Sequence, residues 1–113
     1  MENKSGVVKT LIHKRQEQDE KDFEGFKQDY HFDSLPVYMT IGFHNTFGPL
    51  SGQIINACLA MINLMPTEKE RIQVFYYGDI KFWVESNWEV GTEKENYVYP
   101  EELGITFLLP SEH

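Results

Sequence analysis

Cysteine is nearly absent from this sequence: Cys58 is the only one among 113 residues, so no disulfide can form within the chain. A lone thiol is typical of proteins in a reducing compartment, and we expect a cytoplasmic location. Long apolar runs are absent too, since no segment approaches the roughly 20 apolar residues that span a bilayer. The N-terminus is charged at Glu2 and Lys4 and lacks the apolar core of a signal peptide. We therefore expect neither a membrane-spanning nor a secreted protein.

Basic residues are also few, with 10 Lys and Arg against 18 Asp and Glu, which gives a net charge of −8. The charge is uneven: residues 72–113 hold eight acids but only Lys81 and Lys94 as bases, a net of −6. An acidic surface repels phosphate backbones, so direct nucleic-acid binding is disfavoured. It attracts basic protein surfaces, including those that themselves bind nucleic acid. Solubility alone is the alternative explanation for such a charge.

The sequence lacks the common catalytic patterns. Neither the Walker nor the Rossmann spacing of a glycine-rich phosphate loop occurs. Ser51 lies between Leu50 and Gly52 without the Gly-x-Ser-x-Gly spacing of a nucleophile elbow. Cys58 shares an apolar helical stripe with Ile54, which favours a small buried residue over a nucleophile. We therefore expect no enzyme activity and no cofactor.

A metal site is weakly indicated by His31, Asp33 and His44. The His-x-Asp spacing places two of these side chains on the same side of an extended segment. A zinc site, however, uses three or four ligands held by further hydrogen bonds, and Cys58 belongs to the helix stripe. Ordinary polar loop residues are the better interpretation, so we expect no metal site.

What the sequence does contain is a globular composition, 41% hydrophobic and 14% aromatic, in a length that suits one domain. Pro49 and Pro66 bracket apolar residues at helical spacing, which predicts one central amphipathic helix over 50–65. Alternating and β-branched stretches predict strands at 37–43, 72–77, 80–85 and 105–109. The predicted fold class is α+β, an antiparallel sheet of four to five strands with the helix packed on one face. The expected core is Ile54, Cys58, Ile62, Val74, Phe82 and Phe107.

Residues 1–35 differ in character from the rest of the chain. They are rich in charge and contain a predicted helix from about Lys14 to Gln28, which would dock through Phe23 and Phe26 on one face. We therefore expect two parts: a charged, partly helical N-terminal appendage over residues 1–35 and an α+β domain over 36–113.

The motifs Tyr38-x-Thr40-x-Gly42 and Gln73-Val74-Phe75, with Pro49, Gln53, the amphipathic helix and a short terminal apolar strand, define a resemblance. Over roughly residues 37–113 the chain resembles domain of unknown function 960. That family comprises small proteins of Gram-positive bacteria, often carried on phages, plasmids and other mobile elements. It often has a tryptophan in the helix, which is lacking here, and residues 1–35 have no counterpart. The resemblance implies an origin on a mobile element and supplies no catalytic residues.

The C-terminal third combines aromatic and acidic residues. Alternation along 80–85 places Trp83 opposite Ile80, Phe82 and Val84, so a helix on the latter face would leave Trp83 exposed. Exposed aromatics are enriched at protein interfaces, and carboxylates around them would present phosphate-like charge to an arginine-rich groove. The bland alternative is that the aromatics fill the core and the glutamates face solvent. The predicted partner-binding residues are Trp83, Glu85, Trp88, Glu89, Glu93, Glu95, Tyr97, Glu101 and Glu102.

Three functional hypotheses follow from these observations. The first is a non-enzymatic acidic protein-binding module, from a phage or other mobile element, that inhibits a host nucleic-acid-processing defence system of the kind that anti-CRISPR or antirestriction proteins block. The second is a small phage or plasmid regulatory or assembly protein that acts through a homo-oligomeric sheet, with a homodimer as one expected state. The third is an enzyme, which would require a buried histidine or carboxylate lining a concave pocket.

Overall fold

The computed structural model describes residues 9–25, 28–91 and 103–113. The strands in these ranges are β1 (Leu11–Lys14), β2 (Val37–Met39), β3 (Ile72–Tyr77), β4 (Ile80–Ser86) and β5 (Ile105–Leu108). The α-helices in the same ranges are α1 (Gln18–Glu24), α2 (Ile41–Phe47) and α3 (Ser51–Asn63). Short 3₁₀ turns cover Gly48–Leu50 and Pro110–Glu112. The fold is α+β with one long helix, and the predicted central helix is confirmed.

The sheet has the order β1-β3-β4-β5-β2. Its neighbours pair antiparallel except β2 and β5, which run parallel. The prediction of a purely antiparallel sheet is therefore wrong. Parallel neighbours need a crossover connection rather than a hairpin. Here α2, α3 and the β3–β4 hairpin all lie between β2 and β5 in the chain, so the last strand returns beside β2 in the same direction.

Only the first three residues of the strand predicted over 37–43, Val37–Met39, form a strand. After Met39 the chain turns into α2, because the Thr40 side chain caps that helix and accepts a hydrogen bond from the Phe43 N–H at 3.2 Å. Phe43 and Phe47, one helical turn apart, then both reach the core, while Ile41 is left 79% exposed. Alternation over such a short stretch fits a strand or an amphipathic turn of helix equally well.

The main core lies between the sheet and helices α2 and α3. Phe82 is at its centre, with ring centroids 5.3 Å from both Phe43 and Phe47 and 5.7 Å from Phe75. Edge-to-face and offset aromatic packing of this kind adds to the free energy of simple burial. The sequence-based core prediction is confirmed, because all six residues are buried: Ile54, Cys58, Ile62, Val74, Phe82 and Phe107.

Within the predicted N-terminal appendage, the described residues 9–25 form part of the sheet and of the layer that covers it. Strand β1 pairs with β3 over four residues and forms one edge of the sheet. Helix α1 is shorter than the predicted helix and covers the sheet face opposite α3, over a second buried cluster of Ile72, Val74, Trp83 and Leu108. Both faces of the central strands are therefore covered. No helix within the described residues has the length and hydrophobicity needed to cross a bilayer.

We predict that Ile62→Ala lowers the free energy of unfolding by about 2–5 kcal/mol, the usual range for truncating a buried aliphatic residue. Ile62 is fully buried against the sheet. Leu64→Ala is the matched control, because Leu64 lies at the end of the same helix and is 83% exposed. Chemical denaturation should show a change within about 0.5 kcal/mol for the control. Equal effects of the two substitutions would contradict the packing face assigned to α3.

Candidate functional site

Trp83, the expected centre of the acidic and aromatic surface, is only 1% exposed. The expectation that it faces solvent is wrong, because α1 covers that face of the sheet. Its indole Nε1 donates a hydrogen bond to Glu20 Oε2 at 2.8 Å, and Phe23 packs edge-on against its ring at 5.9 Å. His113 contacts the ring from the C-terminal end of the chain at 5.4 Å. Trp83 is thus a core residue of the second face.

Glu85, Trp88 and Glu89 are half-buried and lie in two different places. Glu85 Oε2 accepts a hydrogen bond from Arg71 Nη1 at 3.1 Å and lies 3.4 Å from His113 Nε2. Trp88 packs against His31 at 4.5 Å. The remaining predicted contact residues, Glu93, Glu95, Tyr97, Glu101 and Glu102, lie outside the described residues. The described members of the predicted set, Trp83, Glu85, Trp88 and Glu89, therefore do not form one surface.

Glu20, which is fully buried, anchors α1 to the sheet. Besides the Trp83 indole, its carboxylate binds Lys81 Nζ at 2.8 Å and the Glu17 backbone N–H at 2.7 Å. Burial alone would lower the pKa of Lys81, but hydrogen bonds and charge from Glu17 and Glu20 outweigh it and raise that pKa. The hydrogen bond from Lys81 is in turn the main reason why the pKa of Glu17 is lowered. A buried carboxylate needs this full set of partners to be tolerated.

Glu24 makes the second anchor, one helical turn beyond Glu20. Its carboxylate accepts hydrogen bonds from the backbone N–H groups of Arg71 at 2.9 Å and Ile72 at 3.0 Å, and from Gln16 Nε2 at 2.7 Å. These donors lie where β3 begins beyond the end of β1. Glu24 therefore satisfies backbone groups that would otherwise lack partners at this edge.

Phe23 was expected to dock the N-terminal helix, whereas the buried residues of α1 are Glu20 and Glu24, and Phe23 is 47% exposed. Phe26 lies outside the described residues. Lys81 is the feature of the sequence that could have revealed the buried acids, because it is a single cation in the otherwise apolar stretch from Ile80 to Val84. A lysine there needs an acidic partner, and an acid pair at helical spacing could provide one.

The three residues weighed as metal ligands do not come together. His31 Nδ1 lies 4.0 Å from Asp33 Oδ1, but His44 is on the exposed side of α2. No group of three or more His, Cys, Asp and Glu side chains suited to a metal ion occurs among residues 9–25, 28–91 and 103–113. Ser51 and Cys58 are both buried, and burial raises the pKa of the Cys58 thiol.

A groove of about 740 Å³ opens where β1 ends beside β3. His13 lies in it, with its ring stacked 4.3 Å from Phe75 and its Nε2 2.8 Å from Gln73 Oε1. The Gln73 amide nitrogen donates to the Glu70 carbonyl at 2.7 Å, so the Gln73 oxygen accepts a hydrogen bond from the His13 Nε2–H. Burial lowers the pKa of His13, although the Gln73 hydrogen bond opposes the shift. Charges of both signs line the rim: Lys14, Arg15, Glu68 and Glu70.

The edge strand β2 is the third notable feature. Val37, Tyr38 and Met39 are 40%, 48% and 42% exposed, and Ile41 follows directly. From Ser34 to Thr67 the sequence contains no Asp, Glu, Lys or Arg. The surface formed by this segment is therefore uncharged in a chain whose charged residues make up 25%.

Comparisons with protein-family models, with curated proteins and with solved structures found no match to this chain. The resemblance to domain of unknown function 960 therefore stays a prediction.

We predict that Glu24→Ala lowers the free energy of unfolding by at least about 2 kcal/mol, because two backbone N–H groups at the start of β3 lose their acceptor. Glu24→Gln retains one acceptor oxygen and should have a smaller effect. Asp22→Ala, on the exposed side of the same helix, is the control and should change stability by less than about 0.5 kcal/mol. If Glu24→Ala and Asp22→Ala lower the free energy of unfolding equally in chemical denaturation, the Glu24 carboxylate does not anchor α1 to the sheet.

His13 should make stability depend on pH. Because burial lowers the pKa of His13 in the folded chain, the unfolded chain binds more protons as pH falls through about 6.5, the ordinary histidine value. The free energy of unfolding should therefore decrease from about pH 8 to about pH 5 more steeply for the natural chain than for His13→Gln. Both proteins contain Glu17 and Glu112, so the contributions of these carboxylates cancel in the difference between the two stability curves. Parallel curves for the two proteins would refute this role.

Proposed function

We propose that the chain is a non-enzymatic protein-binding module whose acidic surface is centred on α1. One observation carries the proposal: the Phe23 ring is 47% exposed on a helix whose solvent side carries Asp19 and Asp22. Asp19 precedes Phe23 by one helical turn, so the carboxylate and the ring share one side of the helix. An exposed aromatic ring framed by carboxylates suits a partner that presents both an apolar pocket and basic side chains.

Phe23 takes the role that the sequence analysis gave to Trp83. The centroid of the Phe23 ring lies 5.9 Å from that of Trp83 and 4.5 Å from that of His113, so both rings pack against Phe23. Glu20 and Glu24 hold α1 in place through the hydrogen bonds described above. A ring held in this way loses little conformational freedom when it enters a pocket, which favours binding.

The proposed partner is a protein with a basic, nucleic-acid-binding surface. The net charge of −8 supports this, because it steers the module toward basic surfaces and away from phosphate backbones. The resemblance to a family of mobile elements supports a target within the host's nucleic-acid-processing defence. We therefore propose an inhibitor of the anti-CRISPR or antirestriction type. The glutamates of 93–102 would add to the same charge.

The test uses purified restriction and CRISPR nucleases immobilised for surface plasmon resonance. The double variant Asp19→Asn/Asp22→Asn should slow association and flatten its salt dependence, because these charges act mainly on the approach of the partners. Phe23→Ala should mainly accelerate dissociation, by the roughly 30-fold that corresponds to a hot-spot loss of about 2 kcal/mol.

The controls are chosen for equal exposure elsewhere on the molecule. Val90→Ala removes an apolar side chain that is 42% exposed, and Glu68→Gln/Asp79→Asn removes two exposed charges outside α1. Neither control should change the kinetics by more than about twofold. If a nuclease binds with rate constants that the α1 substitutions do not change, the interface lies elsewhere on the molecule. If its affinity rises with salt concentration, the interface is not an acidic surface.

A further inference from the structure

Among the described residues, nothing pairs with the backbone hydrogen-bonding groups on the outer edge of β2. Within the described ranges β2 pairs only with β5. The Pro36 carbonyl accepts from the Ile105 N–H at 2.9 Å, and the Thr40 N–H donates to the Phe107 carbonyl at 3.0 Å. In a parallel ladder every second residue bonds to a given neighbour, so Tyr38 also faces β5. The N–H and C=O groups of Val37 and Met39 then point away from the sheet.

Side chains on this edge are apolar on the helix side. Val37 pairs in register with Ile105 and Met39 with Phe107, and both partners belong to the main core. By alternation, Val37 and Met39 lie on the helix side of the sheet, and Tyr38 lies on the other. The Tyr38 ring is held against Gly104, where a Cβ would meet its Cε2 at 2.6 Å.

The edge also lacks the charges that proteins use to protect exposed strands. Lysine, inward-pointing charge and bulges normally prevent edge-to-edge pairing, and residues 34–43 carry no charged side chain. Among the described residues, the acid close to this edge is Glu112, whose carboxylate accepts hydrogen bonds from the Thr40 hydroxyl, the Gly42 N–H at 3.0 Å and the Leu109 N–H at 2.9 Å. The edge is short and follows Pro36, which limits pairing to a few residues and disfavours open-ended growth.

We propose that this edge binds a second copy of the chain, with β2 antiparallel to its symmetry mate about a two-fold axis at Tyr38. In this register Val37 of one copy lies opposite Met39 of the other, and the pair exchanges both of its backbone hydrogen bonds. Met39 of the first copy and Val37 of the second form an equivalent pair. The N–H and C=O groups of Val37 and Met39 are therefore all hydrogen-bonded on each strand. Such an isologous contact closes on itself.

Charge and apolar surface both favour a second copy as the occupant. Two chains of net charge −8 repel each other over most orientations, and the segment from Ser34 to Thr67 is where they can approach without opposing charges. A two-fold axis perpendicular to the sheet keeps both helix layers on the same side. Ile41, 79% exposed at the start of α2, then lies beside the seam and adds apolar area to the strand pair.

This interface and the proposed α1 surface are different, and they respond to salt in opposite ways. Salt screens the repulsion between two acidic copies, so the homodimer should strengthen as ionic strength rises. Binding of a basic partner through α1 should weaken under the same change. Failure of one proposal therefore leaves the other standing.

The first measurement is sedimentation equilibrium of the full chain over a concentration series. We expect a dimer for the natural protein and a monomer for Met39→Lys. Ile12→Lys is the matched control, since Ile12 is also 42% exposed but lies on β1, the opposite edge of the sheet. Circular dichroism confirms that each variant is folded. A natural chain that is monomeric at all concentrations overturns the proposal, as does a dimer that Ile12→Lys abolishes and Met39→Lys does not.

The second measurement tests the register. Facing residues on the two-fold axis of an antiparallel pair have Cα atoms about 4.5 Å apart, within disulfide range. Tyr38→Cys should therefore form an intermolecular disulfide under mild oxidation, and Cys58 is too buried to interfere. A cysteine introduced by Met39→Cys would face Val37 of the other copy, and the Cα atoms of the two cysteines would be more than about 7 Å apart. This variant should therefore not cross-link. Cross-linking of Met39→Cys in preference to Tyr38→Cys would overturn this register.

Discussion

The buried carboxylate of Glu20 is the constraint on which the rest of the structure depends. A charge taken out of water is tolerated only when donors surround it, and here the Trp83 indole, Lys81 and the Glu17 backbone do so. These partners come from β4, the middle strand of the sheet, and from Glu17, the N-cap residue of α1. The network therefore holds an N-terminal helix against the central strand and covers the second face of the sheet.

Covering that face changes which residues can meet a partner. Trp83 becomes a core residue, and Phe23 becomes the exposed aromatic ring above it. Glu85 is drawn into an ion pair with Arg71 at 3.1 Å. What remains accessible on α1 is a ring with carboxylates beside it, on a helix that two buried glutamates keep in place. This accessible side of α1 is the surface on which the proposed binding function depends.

The molecule also separates charge along its sequence. Acidic and basic side chains are absent between Ser34 and Thr67, which form β2, α2 and α3, and are concentrated before and after this segment. The two proposed interfaces follow this division. The charged part offers directional attraction for a basic partner, and the uncharged part offers backbone edges and apolar side chains that a like-charged copy can approach.

The sequence alone determined the features that depend on neighbouring residues. Pro49, Pro66 and the stripe through Ile54, Cys58 and Ile62 were enough to place α3, because helical periodicity and proline geometry are local. Strands β3 and β4 followed from alternating and β-branched residues in the same way. The core residues of these elements were therefore predicted correctly.

Only the tertiary structure decided which faces are covered and how the edges pair. The parallel pairing of β2 with β5 joins residues distant in sequence, so no local pattern specifies it. The switch at Thr40 depends on whether Phe43 can reach Phe82, which is also a long-range contact. The inward orientation of Glu20 and Glu24 was missed because glutamates on a helix normally face water. They turn inward here because Lys81, Trp83 and the start of β3 supply donors that come together only when the chain is folded.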